Sequence, residues 1–93
     1  MTTLRVCFIG DSLVLGTGDE KYLGWPGRVM QRERAAGHDV TMYNTGIRGD
    51  TTPMIEARWR AEAEARLPKE NPCALVFSFG CNDMAMQDGI LRN

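Results

Sequence analysis

Apolar residues gather along this chain in three short blocks, Leu4–Ile9, Val40–Tyr43 and Ala74–Phe79, separated by longer polar or mixed segments. The first and third are nearly unbroken runs of Val, Leu, Ile, Phe and Cys, the pattern of strands covered on both faces at the centre of a parallel sheet. Between the blocks the pattern is helical. One helix is predicted from Trp25-Pro26, where proline suits an early helical position, to Gly37, a natural C-terminal cap; its inward face would include Trp25, Val29 and Ala36. A second opens near Thr52-Pro53 and stops at Pro68, with Ile55, Trp59, Ala63 and Leu67 forming a stripe at four-residue spacing. Its other face carries the opposite-charge pairs Glu56/Arg60, Arg58/Glu62, Arg60/Glu64 and Glu62/Arg66, each worth ~0.2–0.5 kcal/mol. That face reads as solvated surface rather than a binding patch.

Strand starts at Leu4, Val40 and Ala74 lie 36 and 34 residues apart, about one strand-helix unit each, with no accompanying sequence repeat. The alternation βαβαβ predicts the α/β class and a doubly wound parallel sheet. With strand order 2-1-3, as in the flavodoxin-like arrangement, the first strand is central and the loops after all three strands converge. Two complete units and a third strand account for the 93 residues, and Asp88–Asn93 begins an element without finishing it. The expectation is therefore a single domain of which residues 1–93 form the amino-terminal portion, with a sheet edge left bare.

Composition narrows the partners. Eleven Lys and Arg against twelve Asp and Glu leave a net charge of −1, without the basic stripe that a phosphate backbone demands, so nucleic acid is not expected. The longest nearly unbroken apolar stretch, Cys73–Phe79 with Ser78 inside it, is seven residues long, against the roughly 20 that a membrane helix needs. Met1–Ile9 runs straight into Gly10-Asp11-Ser12 with no cleavable small-residue site, which predicts a cytoplasmic protein. Cys7, Cys73 and Cys81 are odd in number and lack C-x-x-C spacing; they are expected to be reduced and buried. Nothing in the pattern marks an oligomer interface.

The residues that follow the strands carry the candidate chemistry. Ser12 stands on a strand-to-loop turn after Gly10, where a hydroxyl reaches the rim and the backbone N–H is free to donate; alternatively, Asp11 or Ser12 caps the next segment. Gly49 lets a substrate oxygen approach its backbone N–H, or is a turn residue with positive φ. Asn82 offers an amide that donates without ionising, or stitches its loop to backbone. Cys81 lacks a basic neighbour to activate its thiol. One histidine with scattered cysteines makes no zinc pattern, and neither G-x-G-x-x-G nor a Walker pattern occurs, so no metal or cofactor is expected. Met84 and Met86 are candidates for an acyl pocket or for core packing.

Taken together, the blocks Gly10-Asp11-Ser12-Leu13, Asn44-Thr45-Gly46-Ile47-Arg48-Gly49-Asp50-Thr51 and Gly80-Cys81-Asn82-Asp83 resemble those of the SGNH hydrolases, the GDSL lipase and esterase family. The resemblance implies a three-layer α/β/α fold and a serine ester hydrolase acting on a small-molecule ester. It makes Ser12 the nucleophile and forms the oxyanion hole from the Ser12 N–H, the Gly49 N–H and the Asn82 side-chain amide. Gly46 is then a turn glycine, and Trp25-Pro26 a structural feature.

The family's last block, an Asp-x-x-His supplying acid and base, is absent from these residues. The one histidine, His38, precedes the second strand and so falls at the opposite end of the sheet from Ser12. Asp83 and Asp88 lie nearer, but a carboxylate without an imidazole to orient builds no Ser-His-Asp relay. The triad's His and Asp are thus expected beyond Asn93. The competing reading is a non-catalytic flavodoxin-like module that binds a small anion or a partner through the same loops.

Overall fold

The computed structural model describes residues 1–84, 86, 87 and 89–91. Strand β1 (Thr3–Gly10) pairs in parallel with β2 (Asp39–Asn44) on one side and β3 (Cys73–Ser78) on the other, giving the order β2-β1-β3. The register runs from Thr3 opposite Asp39 to Phe8 opposite Asn44, and from Arg5 opposite Cys73 to Gly10 opposite Ser78. The expected 2-1-3 order is therefore the observed one. Past β3 come a 3₁₀ turn (Cys81–Met84) and a small antiparallel pair, β4 (Met86–Gln87) with β5 (Ile90–Leu91).

Helices cover both faces. On one, Cys7 and Ile9 of β1 meet Ile55 and Ala63 of α1 (Thr52–Arg66), and Tyr43, Trp59 and Leu67 close around them. The predicted stripe on this helix is thus the one that packs. On the other face Val6 and Phe8 pack with Val14 of the short helix α2 (Ser12–Leu15) and Met30 of α3 (Gly24–Ala35). Alternate residues of β1 serve the two layers, so its apolar run is needed on both sides. Ile9 and Ile55 are wholly buried, each contributing about 1.5–3 kcal/mol by leaving water.

Two packing expectations fail. In α3 the buried residues are Gly24, Pro26 and Gly27, while Trp25, Val29 and Ala36 stay exposed; Trp25 only sets its ring edge-on to Phe8, centroids 5.5 Å apart. Small residues let this helix lie close to its neighbours, so its inward face is not the face with the largest side chains. β3 is not covered on both faces either. Ala74 and Val76 are half-buried, but Leu75 and Phe77 are 42% and 46% exposed on the side where α1 lies. A helix about 10 Å wide spans roughly two strands at ~4.8 Å spacing. α1 sits over β1, and its Trp59 reaches Phe77 edge-on at 5.1 Å.

The cysteines also divide. All three are free, but only Cys7 is buried; Cys73 and Cys81 are exposed, one at the start of β3 and one in the turn after it, outside the packed layers. No helix among the described residues is long and apolar enough to cross a membrane.

Candidate functional site

The turn after β1 is shaped by close packing. A side chain on Gly10 would run into the Ser78 carbonyl oxygen and the Val14 side chain, so only glycine fits between β3 and α2. Asp11 then caps α2: its Oδ1 accepts the Leu13 N–H at 3.0 Å. The cap is thus Asp11 and not Ser12. Ser12 becomes the first helical residue, half-buried, and no hydrogen bond among the described residues engages its hydroxyl. The second Asp11 oxygen, Oδ2, is buried without a partner among the described residues.

The loop after β2 is laced to this turn. Asn44 donates its amide to the Val14 carbonyl at 2.8 Å and accepts the Gly46 N–H at 2.9 Å, while Ile47 donates its N–H to the Gly10 carbonyl at 3.2 Å. Thr45 donates both its N–H and its hydroxyl to the Phe8 carbonyl. Gly46 is a glycine for contact rather than for turning, because a Cβ there would sit 2.5 Å from the Leu15 nitrogen and 2.8 Å from the Asp11 oxygen. Gly49 is the turn glycine, with φ of +85° and open space around it. Among the described residues no acceptor takes its N–H.

The loop after β3 joins the same cluster by polar contacts. Asn82 donates its amide to the Asp50 carbonyl at 2.9 Å, which sets it beside the Gly49 turn. Asp83 accepts both the hydroxyl and the N–H of Thr52, the latter at 2.7 Å, at the start of α1. The Thr52 hydroxyl first, then its N–H, hold the Asp83 carboxyl below the usual carboxylate range.

One residue at this end of the sheet departs from the solvated face that its charge pairing predicts. Arg58, on α1, turns inward with its side chain 17% exposed: Nε donates to Asp50 Oδ2 at 2.8 Å, one terminal nitrogen to the Thr45 carbonyl at 2.8 Å and to Glu62 at 3.1 Å, and the other to the Gly10 carbonyl at 3.0 Å. Glu56, Arg60, Glu64 and Arg66 are exposed as expected. Arg58 follows the buried Ile55 by three residues, about 60° from it round the helix, so the helical wheel carries the signal that charge pairing hid.

His38 is far from this cluster. It precedes β2, where its Nδ1 accepts the Thr2 N–H at 3.0 Å and its Nε2 lies 3.9 Å from Glu33. Met84 and Cys81 are exposed; Asp88 and the Met86 side chain lie outside the described residues. The arrangement therefore brings the Ser12, Gly49 and Asn82 loops together and supplies no imidazole near them.

Residues 8–92 match the family described as GDSL-like lipase/acylhydrolase. Among solved structures the chain is similar to AlinE4, described as an SGNH-hydrolase family esterase: TM-score 0.74 and 25% identity, covering 90% of this chain and 43% of that one. Two single-residue variants of that esterase match with the same coverage, one replacing an aspartate by alanine (TM-score 0.73, 25% identity) and one a serine by alanine (0.70, 26%). This chain thus spans less than half the length of the esterases it matches, and its sheet with flanking helices is a partial SGNH-like fold. No curated protein matches it. With agreement running from residue 8 to residue 92, the chain belongs to the GDSL-like lipase/acylhydrolase family.

Proposed function

We propose that this chain is the amino-terminal portion of a serine ester hydrolase domain, with Ser12 as nucleophile and the Ser12 N–H, the Gly49 N–H and the Asn82 amide as oxyanion hole. The observation that carries the reading is the convergence of the three loops at one strand end; Asn82 spends one amide hydrogen on the Asp50 carbonyl at 2.9 Å, stitching its loop to backbone, and keeps the other. This sets the amide beside a glycine turn whose N–H is unspent among the described residues, at the strand end where a serine heads a helix with its hydroxyl unengaged.

In this reading the Ser12 oxygen attacks the carbonyl carbon of the ester while a base takes its proton, and the tetrahedral oxygen gathers negative charge against the three donors. Collapse expels the alcohol, which receives that proton; water then attacks the acyl-enzyme through the same steps and releases the acid. The base and its orienting carboxylate come from residues outside these 93. His38 is excluded as base by its place at the far end of the sheet.

The test is active-site labelling of the complete protein with a fluorophosphonate. The adduct is expected on Ser12 alone, and Ser12→Ala is expected to abolish both labelling and turnover. An adduct mapped to another serine, or labelling undiminished in the variant, removes Ser12 from the role.

A further inference from the structure

Arg58 spends four of its five N–H donors on groups at the strand ends and on Glu62. Each strand-end acceptor leads to one proposed oxyanion donor. The Gly10 carbonyl lies two residues before Ser12, and the Thr45 carbonyl and the Asp50 carboxylate bracket the segment that holds Gly49. Asp50 in turn gives its own carbonyl to the Asn82 amide. We propose that Arg58 is a positioning residue of the oxyanion hole, whose planar guanidinium sets the spacing of the Ser12, Gly49 and Asn82 donors from the side away from substrate. The proposal rests on the nucleophile and oxyanion reading above.

Geometry and charge agree on how it acts. The guanidinium is a rigid fork, and its directions fit two carbonyls and a carboxylate at once, which a lysine ammonium on a flexible stem does not reproduce. Its charge is answered at close range by Asp50 and Glu62, so it has no spare field to offer a substrate oxyanion. What remains is placement. Oxyanion donors act only within a few tenths of an ångström of the position that the developing oxygen takes, and a displacement near 1 Å costs on the order of 10² in rate.

The experiment compares the complete enzyme with Arg58→Lys, Arg58→Ala and Asp50→Asn on a short-chain p-nitrophenyl ester, with fluorophosphonate mapping and circular dichroism on the same samples. Arg58→Lys is expected to lower kcat about 10- to 100-fold with KM within about threefold, because the donors matter only as charge develops. Millimolar guanidinium is expected to restore kcat of Arg58→Ala several-fold, and ethylammonium is not. Asp50→Asn loosens the same contact from the other side and is expected to show the same kcat-selective loss, which keeps the test decisive if Arg58→Ala fails to fold. If the wild-type adduct maps to Ser12 but folded Arg58→Lys keeps kcat within twofold, or guanidinium rescues nothing, Arg58 is a structural anchor and the positioning role falls alone. If the wild-type adduct maps elsewhere, the nucleophile reading falls and takes this role with it.

Discussion

The turn after β1 and the loop after β3 lie side by side at one end of the sheet, yet different forces hold them. Gly10 and Gly46 sit where backbone atoms leave no room for a methyl group, and Asp11 is buried beneath them. To the hydrogen bonds of this turn, repulsion adds a steep limit on where Ser12 can sit. Asn82 and Asp83 are only half-buried and are held through hydrogen bonds to Asp50 and Thr52. Such attractions are worth about a kilocalorie per mole each and can be weakened by degrees. The lesson is that the proposed nucleophile stands on support with a steep steric limit, whereas the proposed oxyanion amide sits on hydrogen bonds alone, which can be tuned.

Substitutions separate the two kinds of support. Gly10→Ala should have the largest effect: the added methyl meets the Ser78 carbonyl oxygen, which cannot move without breaking β1–β3 pairing. The cost should exceed the ~1–3 kcal/mol usual for overpacking, a large part of a typical domain's stability. A urea melt that kept the wild-type midpoint would show that the turn is looser than described. Asn82→Ala in the complete enzyme should lower kcat by roughly 10²–10³ with little change in KM and little loss of melting temperature. A kcat within threefold of wild type, or outright unfolding, would remove the oxyanion role.

Asp83 gives a smaller and pH-dependent effect. Its folded carboxyl titrates below the ordinary value, so its link to Thr52 adds stability above the unfolded-state value and loses it as pH falls through the lowered folded one. Asp83→Asn should therefore cost a few-fold in kcat at neutral pH and flatten the acid limb of the stability profile. An unchanged acid limb would show that the Thr52 contact does not hold the Asn82 loop. The mildest test is thiol reactivity. Cys73 and Cys81 should react quickly with a thiol reagent, while Cys7, buried in β1 and with its thiol pushed up by that burial, should react only on unfolding. Three fast thiols would mean that β1 is not enclosed.

Much of this is legible in the amino-acid sequence. Continuous apolar runs located β1 and β3, and the Ile55, Trp59, Ala63, Leu67 stripe located the face of α1 that packs. The order β2-β1-β3 is that of the flavodoxin-like arrangement, which the βαβαβ alternation allowed but did not by itself select. What the pattern hid has physical causes. The inward face of α3 is made by Met30 with Gly24, Pro26 and Gly27, three residues with little hydrophobic signal beside Trp25 and Val29. Arg58 looked solvated because its i,i+4 partner Glu62 explains its charge, while its bonds to Gly10 and Thr45 go to carbonyls, which every residue possesses. Cys73 and Cys81 adjoin apolar runs, yet lie where one helix's width does not reach.

The central place of β1 also bears on how the chain is born. β1 has both its edges satisfied by strands made after it, and Gly10 waits for Ser78. At about 5–20 residues per second that wait lasts several seconds, during which Val6–Ile9 are an apolar ribbon with unpaired amides on both sides. In that interval the turn that presents Ser12 has its local Asp11 cap but not the β3 neighbour against which Gly10 packs. During synthesis, this end of the sheet is completed only once β3 has been made, although Ser12 precedes β3 by some sixty residues.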